Sequence, residues 1–120
     1  MSAKKFHTPD GVIQGAEYDA DYAAAEKFDG ARVGRLGVYC RDGLRTKFMA
    51  FDTLERAFIR VQEVTGRMCC GSVNFAYYRL VLVRSGVEYA DIMSESEKAM
   101  DAALAKIREN APELAIGVAQ

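Results

Sequence analysis

Asp52-Thr53-Leu54-Glu55-Arg56-Ala57-Phe58-Ile59-Arg60-Val61-Gln62-Glu63-Val64-Thr65 is the stretch on which the fold turns. At a helical period, Leu54, Ala57, Phe58 and Val61 share a face, and Asp52 with Glu55 resembles a capping pair. Against that, Phe58-Ile59-Arg60-Val61 is dense in β-formers and stands between segments that read as strands. Periodicity alone leaves both readings open. A strand here continues a run of antiparallel strands, and a helix interrupts it.

On the N-terminal side, Val33-Gly34-Arg35-Leu36-Gly37-Val38-Tyr39-Cys40 mixes β-formers with glycines. Arg41-Asp42-Gly43 then signals a hairpin turn, and Leu44, Thr46 and Phe48 alternate with Arg45 and Lys47. On the C-terminal side, Asn74–Arg84 places Phe75, Tyr77, Val81 and Val83 on one face and Tyr78, Leu80 and Leu82 on the other. That pattern predicts a central strand covered on both sides. Ser85-Gly86 predicts a tight turn, and Val87–Ile92 the next strand. A helix is predicted over residues 95–109, with Ser94 and Glu97 as a capping box. Its apolar stripe is Met100, Ala103, Leu104 and Ile107, and Asn110-Ala111-Pro112 stops it. Beyond the stop, Leu114, Ile116 and Val118 alternate as a short strand or packed tail. At the other end, residues 1–15, punctuated by Pro9-Asp10-Gly11, read as an irregular lead-in. Ala16–Phe28 reads as a short helix ended by Asp29-Gly30.

The chain has 120 residues, the size of one domain, 50% of them apolar and 28% charged. That composition does not suit disorder. The longest run without a charge, Met68–Tyr78, is 11 residues, and a membrane-spanning helix needs about 20. The first ten residues hold no apolar core for a secretion signal. A cytoplasmic, soluble, single-domain protein is expected. The net charge of −1 hides a segregation, with −3 over residues 1–29, +6 over 30–84 and −4 over 85–120. Such asymmetry marks either an anion or nucleic-acid surface or acidic end elements packing against a basic middle.

The order, antiparallel strands followed by one amphipathic helix, resembles a pleckstrin-homology-like (PH-like) domain. The blocks that carry the likeness are Val33-Gly34-Arg35-Leu36-Gly37-Val38-Tyr39, Phe58-Ile59-Arg60-Val61-Gln62-Glu63-Val64, Arg67-Met68-Cys69-Cys70-Gly71 and Tyr78-Arg79-Leu80-Val81-Leu82-Val83. They look like small bacterial PH-like proteins over roughly residues 30–110. The resemblance implies an α+β, mainly β fold, an antiparallel barrel of two orthogonal sheets closed by the C-terminal helix. It also implies that Arg56–Val64 is a strand. The family implies a binding module rather than an enzyme. Basic residues around the first hairpin often bind inositol phosphates in that family, and here Arg35, Arg41, Arg45 and Lys47 lie on or beside it. The basic pattern of the phosphoinositide binders is not carried, so such lipids are not expected as ligands.

The remaining residues offer little chemistry. Cys69 and Cys70 are adjacent, and neighbours on a strand point to opposite faces, so they do not converge on a metal without a bulge. Their alternatives are half-buried inert thiols or a redox pair. His7 lies in the polar lead-in. Gly34-Arg35-Leu36-Gly37 matches the GXXG of nucleic-acid-binding KH domains, but glycines in a strand more often permit a bulge or a close approach. Phe75, Tyr77 and Tyr78 could stack on bases, yet a central strand makes them core. The expected function is non-catalytic binding to protein, including a second copy, with no cofactor or metal and with nucleic acid disfavoured. A homodimer using the tail or an exposed strand edge is the expected assembly. The alternatives are a thiol-redox or small-molecule protein using Cys69 and Cys70, and anion or nucleic-acid binding by the arginine-rich middle.

Overall fold

In the computed structural model, which describes residues 5–68 and 71–116, the deciding stretch is a strand. Asp52 and Glu55 do not cap a helix; Phe51–Thr53 make one 3-10 turn, and the chain extends from Arg56 onward. The elements are β1 (Phe6–Thr8), β2 (Gly11–Ile13), α1 (Ala16–Ala24), β3 (Glu26–Phe28), β4 (Ala31–Val33), β5 (Gly37–Asp42) and β6 (Arg45–Ala50). They continue with β7 (Arg56–Met68), β8 (Gly71–Arg84), β9 (Val87–Ser94), α2 (Glu97–Asn110) and β10 (Ala115–Ile116). The described residues are therefore mainly β, with two α-helices.

Two sheets form, one of six strands in the order β2-β1-β6-β5-β4-β3 and one of four in the order β10-β7-β8-β9. Among the described residues no strand pairing joins them, so they do not close into a barrel. Nor are they wholly antiparallel, because β1 runs parallel to β6 and β10 parallel to β7. Both parallel strands come from the chain ends. No tight hairpin links β1 to β6 or β10 to β7, so nothing forces the antiparallel direction in those two pairs.

Two expectations for the N-terminal third need correction. Residues 1–15 are not all irregular, since β1 and β2 pair as a hairpin with Phe6 opposite Ile13 and Thr8 opposite Gly11. The Thr8 hydroxyl donates to the Gly11 carbonyl at 2.7 Å and accepts from the Asp10 N–H, while Gly11 takes a positive φ of 123°. The helix is shorter than Ala16–Phe28, and Asp29-Gly30 is the turn of a second hairpin, with Phe28 opposite Ala31. The stretch from Val33 to Cys40 is divided between two strands. Gly34-Arg35-Leu36 turns the chain between β4 and β5, and the Gly34 N–H donates to the Gly37 carbonyl at 2.9 Å. Both glycines sit where a Cβ would collide, with the Asp21 carboxylate at Gly34 and the Met49 carbonyl at Gly37. The GXXG pattern thus marks a close approach rather than a nucleic-acid loop.

The strongest strand, β8, is central, with β7 and β9 on its flanks. Leu80 and Leu82 are fully buried on the inner face, and Val81 is fully buried on the outer one. Phe58 stands opposite Val81, and the Arg60 guanidinium lies 5.4 Å from the Phe58 ring centroid. The helix starts one residue pair later than the capping box predicts. Ser96 is the cap, accepting from the Ala99 N–H at 3.1 Å. Ser94 instead accepts from the Ser96 N–H and donates to the Asp29 carboxylate, tying the helix start to the β3–β4 turn. The buried stripe of α2 is Met100, Ala103 and Ile107, with Leu104 at its flank.

These residues join Val38, Met49, Leu80, Leu82 and Leu114 in a core between the sheets and α2. A separate aromatic core of Phe6, Tyr39 and Phe48 lies on the other face of the six-stranded sheet, under Tyr18 and Tyr22 of α1. Leu114 is buried, and Ala115–Ile116 pair with Arg56–Ala57 of β7. Val118 lies outside the described residues.

Candidate functional site

The sheets approach each other along β9 without pairing, and the seam holds a cleft of about 440 Å³. That volume is in the range of ligand sites. Four strands of the six-stranded sheet each send one cation to it, Lys27 from β3, Arg32 from β4, Arg41 from β5 and Lys47 from β6. The opposite wall is Ala90–Met93 of β9.

The local register sends the cations to the cleft from both faces of the sheet, Lys27, Arg32 and Arg41 from the face that carries Tyr39 and Lys47 from the other. Lys27 stands directly opposite Arg32, and Cys40 directly opposite Lys47. Like charges facing each other across a ladder are destabilising. The Lys27–Arg32 pair therefore works against the stability of a hairpin only three residues long on each side. Arg32 is steadied by lying 4.5 Å from the Tyr22 ring centroid, and Lys47 by lying 5.0 Å from that of Tyr89. Cation–aromatic contacts of this kind hold a charge in place without neutralising it. Arg41 and Lys27 are exposed and form no ion pair with a described residue.

The acidic groups of the cleft are already engaged. Asp29 accepts from Ser94, and Asp91 is paired with Arg79 at 3.1 Å. Arg79 offsets Asp91, whereas Asp29 keeps its charge, and the four cations of the cleft outnumber its two carboxylates. Elsewhere the charge segregation is consumed in structural pairs between the basic middle and the acidic ends. Arg60 binds Glu88, Arg79 binds Asp91, and Arg84 binds Asp10 at 2.9 Å. Arg60 holds the exposed Glu88 carboxyl below the usual carboxylate range by hydrogen bonding. The packing explanation of the asymmetry thus applies to Arg60, Arg79 and Arg84, and the cleft collects others.

Of the four basic residues taken from the sequence, Arg41 and Lys47 reach the cleft. Arg35 does not. It sits in the β4–β5 turn, where its N–H donates to Asp21 at 2.8 Å, and it lines a different groove beside the end of α2. Arg45 is exposed at the start of β6 and does not line the cleft. Lys27 and Arg32 do not stand out in the sequence, because the Ala16–Phe28 pattern predicts a helix where the first strand of their hairpin lies. The Asp29-Gly30 turn between Phe28 and Ala31 is the signal that could have found them.

Cys40 is half-buried in β5, directly opposite Lys47. Cys69 and Cys70 lie outside the described residues. Tyr78 packs against the larger core, as a covered central strand requires, and Tyr77 is half-buried. His7 is half-buried in β1, opposite Lys47 across the parallel ladder. Among the described residues no three His, Cys, Asp or Glu side chains are grouped to hold a metal ion, and no helix is long and apolar enough to cross a membrane. The cleft can hold an anion through charge-assisted hydrogen bonds from guanidinium and ammonium groups. No protein-family model, curated protein or solved structure matches this chain.

Proposed function

We propose that the protein is a non-catalytic, PH-like binding module that holds an anionic group of its ligand in the seam cleft. The observation that carries this is that Lys27, Arg32, Arg41 and Lys47 line one cleft whose carboxylates are Asp29 and Asp91, the second already paired with Arg79. The PH-like part is supported by the element order, strands in two sheets followed by an amphipathic helix that packs on strands of both. Pyrophosphate titrated into isotope-labelled protein tests the cleft. Saturable shifts are expected at the Arg41 and Lys47 side chains, and raising salt from about 50 to about 300 mM should weaken them. The double variant Arg41→Ala, Lys47→Ala should bind about tenfold more weakly or worse. Equal binding by that variant would end this reading.

A second reading, self-association, is favoured by the β7–β8 hairpin. Beyond Val61 and Tyr78 its two strands pair with each other and with no other described strand. A two-stranded ribbon is marginal in water on its own, and a second copy would supply neighbours. Sedimentation of the full chain at micromolar concentration should give a dimer. A monomer over that range would remove the reading.

A further inference from the structure

The cleft is not walled by side chains alone. Four consecutive residues of β9, Ala90-Asp91-Ile92-Met93, form its far side, and β9 is the last strand of its sheet. β8 satisfies one edge of β9, and no described strand pairs with the other. An open edge presents a row of backbone N–H and C=O groups to any extended chain that can lie roughly 4.8 Å away. The Asp29-Gly30 turn limits this edge at one end, because a Cβ on Gly30 would meet the Ile92 side chain at 3.2 Å. Toward the other end stands Tyr89, with Lys47 over its ring. On β9 itself, Val87 and Met93 are 64% and 51% exposed, leaving apolar side chains uncovered near both ends of the strand.

We propose that an extended acidic peptide segment of a partner protein adds as a strand to the open edge of β9, with separate acidic side chains held by Arg41 and by Lys47. This rests on the cleft being an anion site, and it names the ligand. Two features of one place favour a peptide. A free anion uses the cations and leaves the backbone edge unpaired, whereas a peptide strand uses both. The surplus positive charge selects for acidic side chains, and long-range attraction speeds their approach. A second copy of this chain is a poor donor of such a segment. Its described acidic stretch from Glu95 to Glu97 is fixed by the α2 cap, and Glu109 lies within α2.

The test uses the full chain and a labelled heptapeptide, Thr-Glu-Val-Glu-Val-Glu-Thr. Its controls are the Gln-for-Glu peptide, a copy N-methylated on alternate residues, and pyrophosphate. The acidic peptide is expected to bind at concentrations up to about 1 mM and to shift the amides of Tyr89–Asp91. The Gln peptide, the N-methylated peptide and the exposed-site variant Arg41→Glu should each weaken binding by about tenfold or more. Undiminished binding of the N-methylated peptide overturns strand addition. Binding of pyrophosphate without the acidic peptide also overturns it, while leaving the anion cleft standing. Failure of both ligands removes the cleft reading itself. Concentration-dependent shifts at the β9 amides without any peptide would assign the edge to a second copy and overturn the proposal.

Discussion

The six-stranded sheet has a different core on each of its faces. Toward α2 it contributes Val33, Val38 and Met49 to an aliphatic core whose members run from Ala31 to Leu114. Toward α1 it contributes Tyr39 and Phe48 to an aromatic core closed by Phe6, Tyr18 and Tyr22. The first is filled by shape, and its members come from both sheets and the long helix. The second is held by ring contacts, with Phe6 edge-on to Tyr39 at 5.3 Å and Tyr22 edge-on to Tyr39 at 5.2 Å. It has one polar pin. Asp21 of α1 accepts from the Tyr39 hydroxyl and from the backbone N–H of Arg35 and Leu36. Losing the aliphatic core separates the sheets, whereas losing the aromatic core releases only an N-terminal cover. No residue of α1 is fully buried, which fits an element that can open by itself.

That contrast can be broken most directly at Leu82, fully buried near the C-terminal end of β8 between β7 and β9. Leu82→Ala should cost about 2–5 kcal/mol in urea unfolding, because the site cannot collapse between β7 and β9. All probes should shift together. Phe6→Ala removes a ring that is equally buried, yet it should take less than about 2 kcal/mol from the main transition. Its larger effect should appear in hydrogen exchange, as faster exchange of the α1 amides with little change in β8. If Phe6→Ala lowers global stability as much as Leu82→Ala, the two cores are one cooperative unit.

The same division separates what the sequence makes legible from what it hides. β8, β9 and α2 carry their own periodicity over 14, 8 and 14 residues, so their faces could be assigned without knowing their neighbours. β7 was ambiguous because its apolar residues satisfy both periods, and only its pairing with β8 makes it extended. β1 to β4 have three residues each, too few for an alternation to register. They exist because longer strands give them edges to pair with. The cleft inherits this division. Arg41 and Lys47 lie on longer strands and were legible, while Lys27 and Arg32 lie on a hairpin that only its turn announces. Arg35 misled because nearness in sequence is not nearness along a strand. Six residues of extended chain span roughly 20 Å, so Arg35 and Arg41 serve opposite ends of β5.

The finest probe of the aromatic core is its pin. Tyr39 is fully buried, and its hydroxyl donates to Asp21 at 2.7 Å. Burial first, and then the Asp21 carboxylate, hold the phenol far above its ordinary range. Tyr39→Phe leaves Asp21 its two backbone donors, so the loss near neutral pH should be small, about 1 kcal/mol. The alkaline limb should behave differently. In the unfolded chain the phenol ionises near pH 10, while in the fold it stays protonated. The raised pKa therefore contributes stability that is complete below about pH 10 and declines as pH rises beyond it, by about 1.4 kcal/mol per unit. The phenylalanine variant lacks this decline. Its deficit should shrink above about pH 10 and vanish near pH 11, as followed by urea unfolding at each pH. A deficit that stays constant to pH 11 would mean that the cover opens before the phenol ionises, and that Asp21 and Tyr39 do not act together in the alkaline fold.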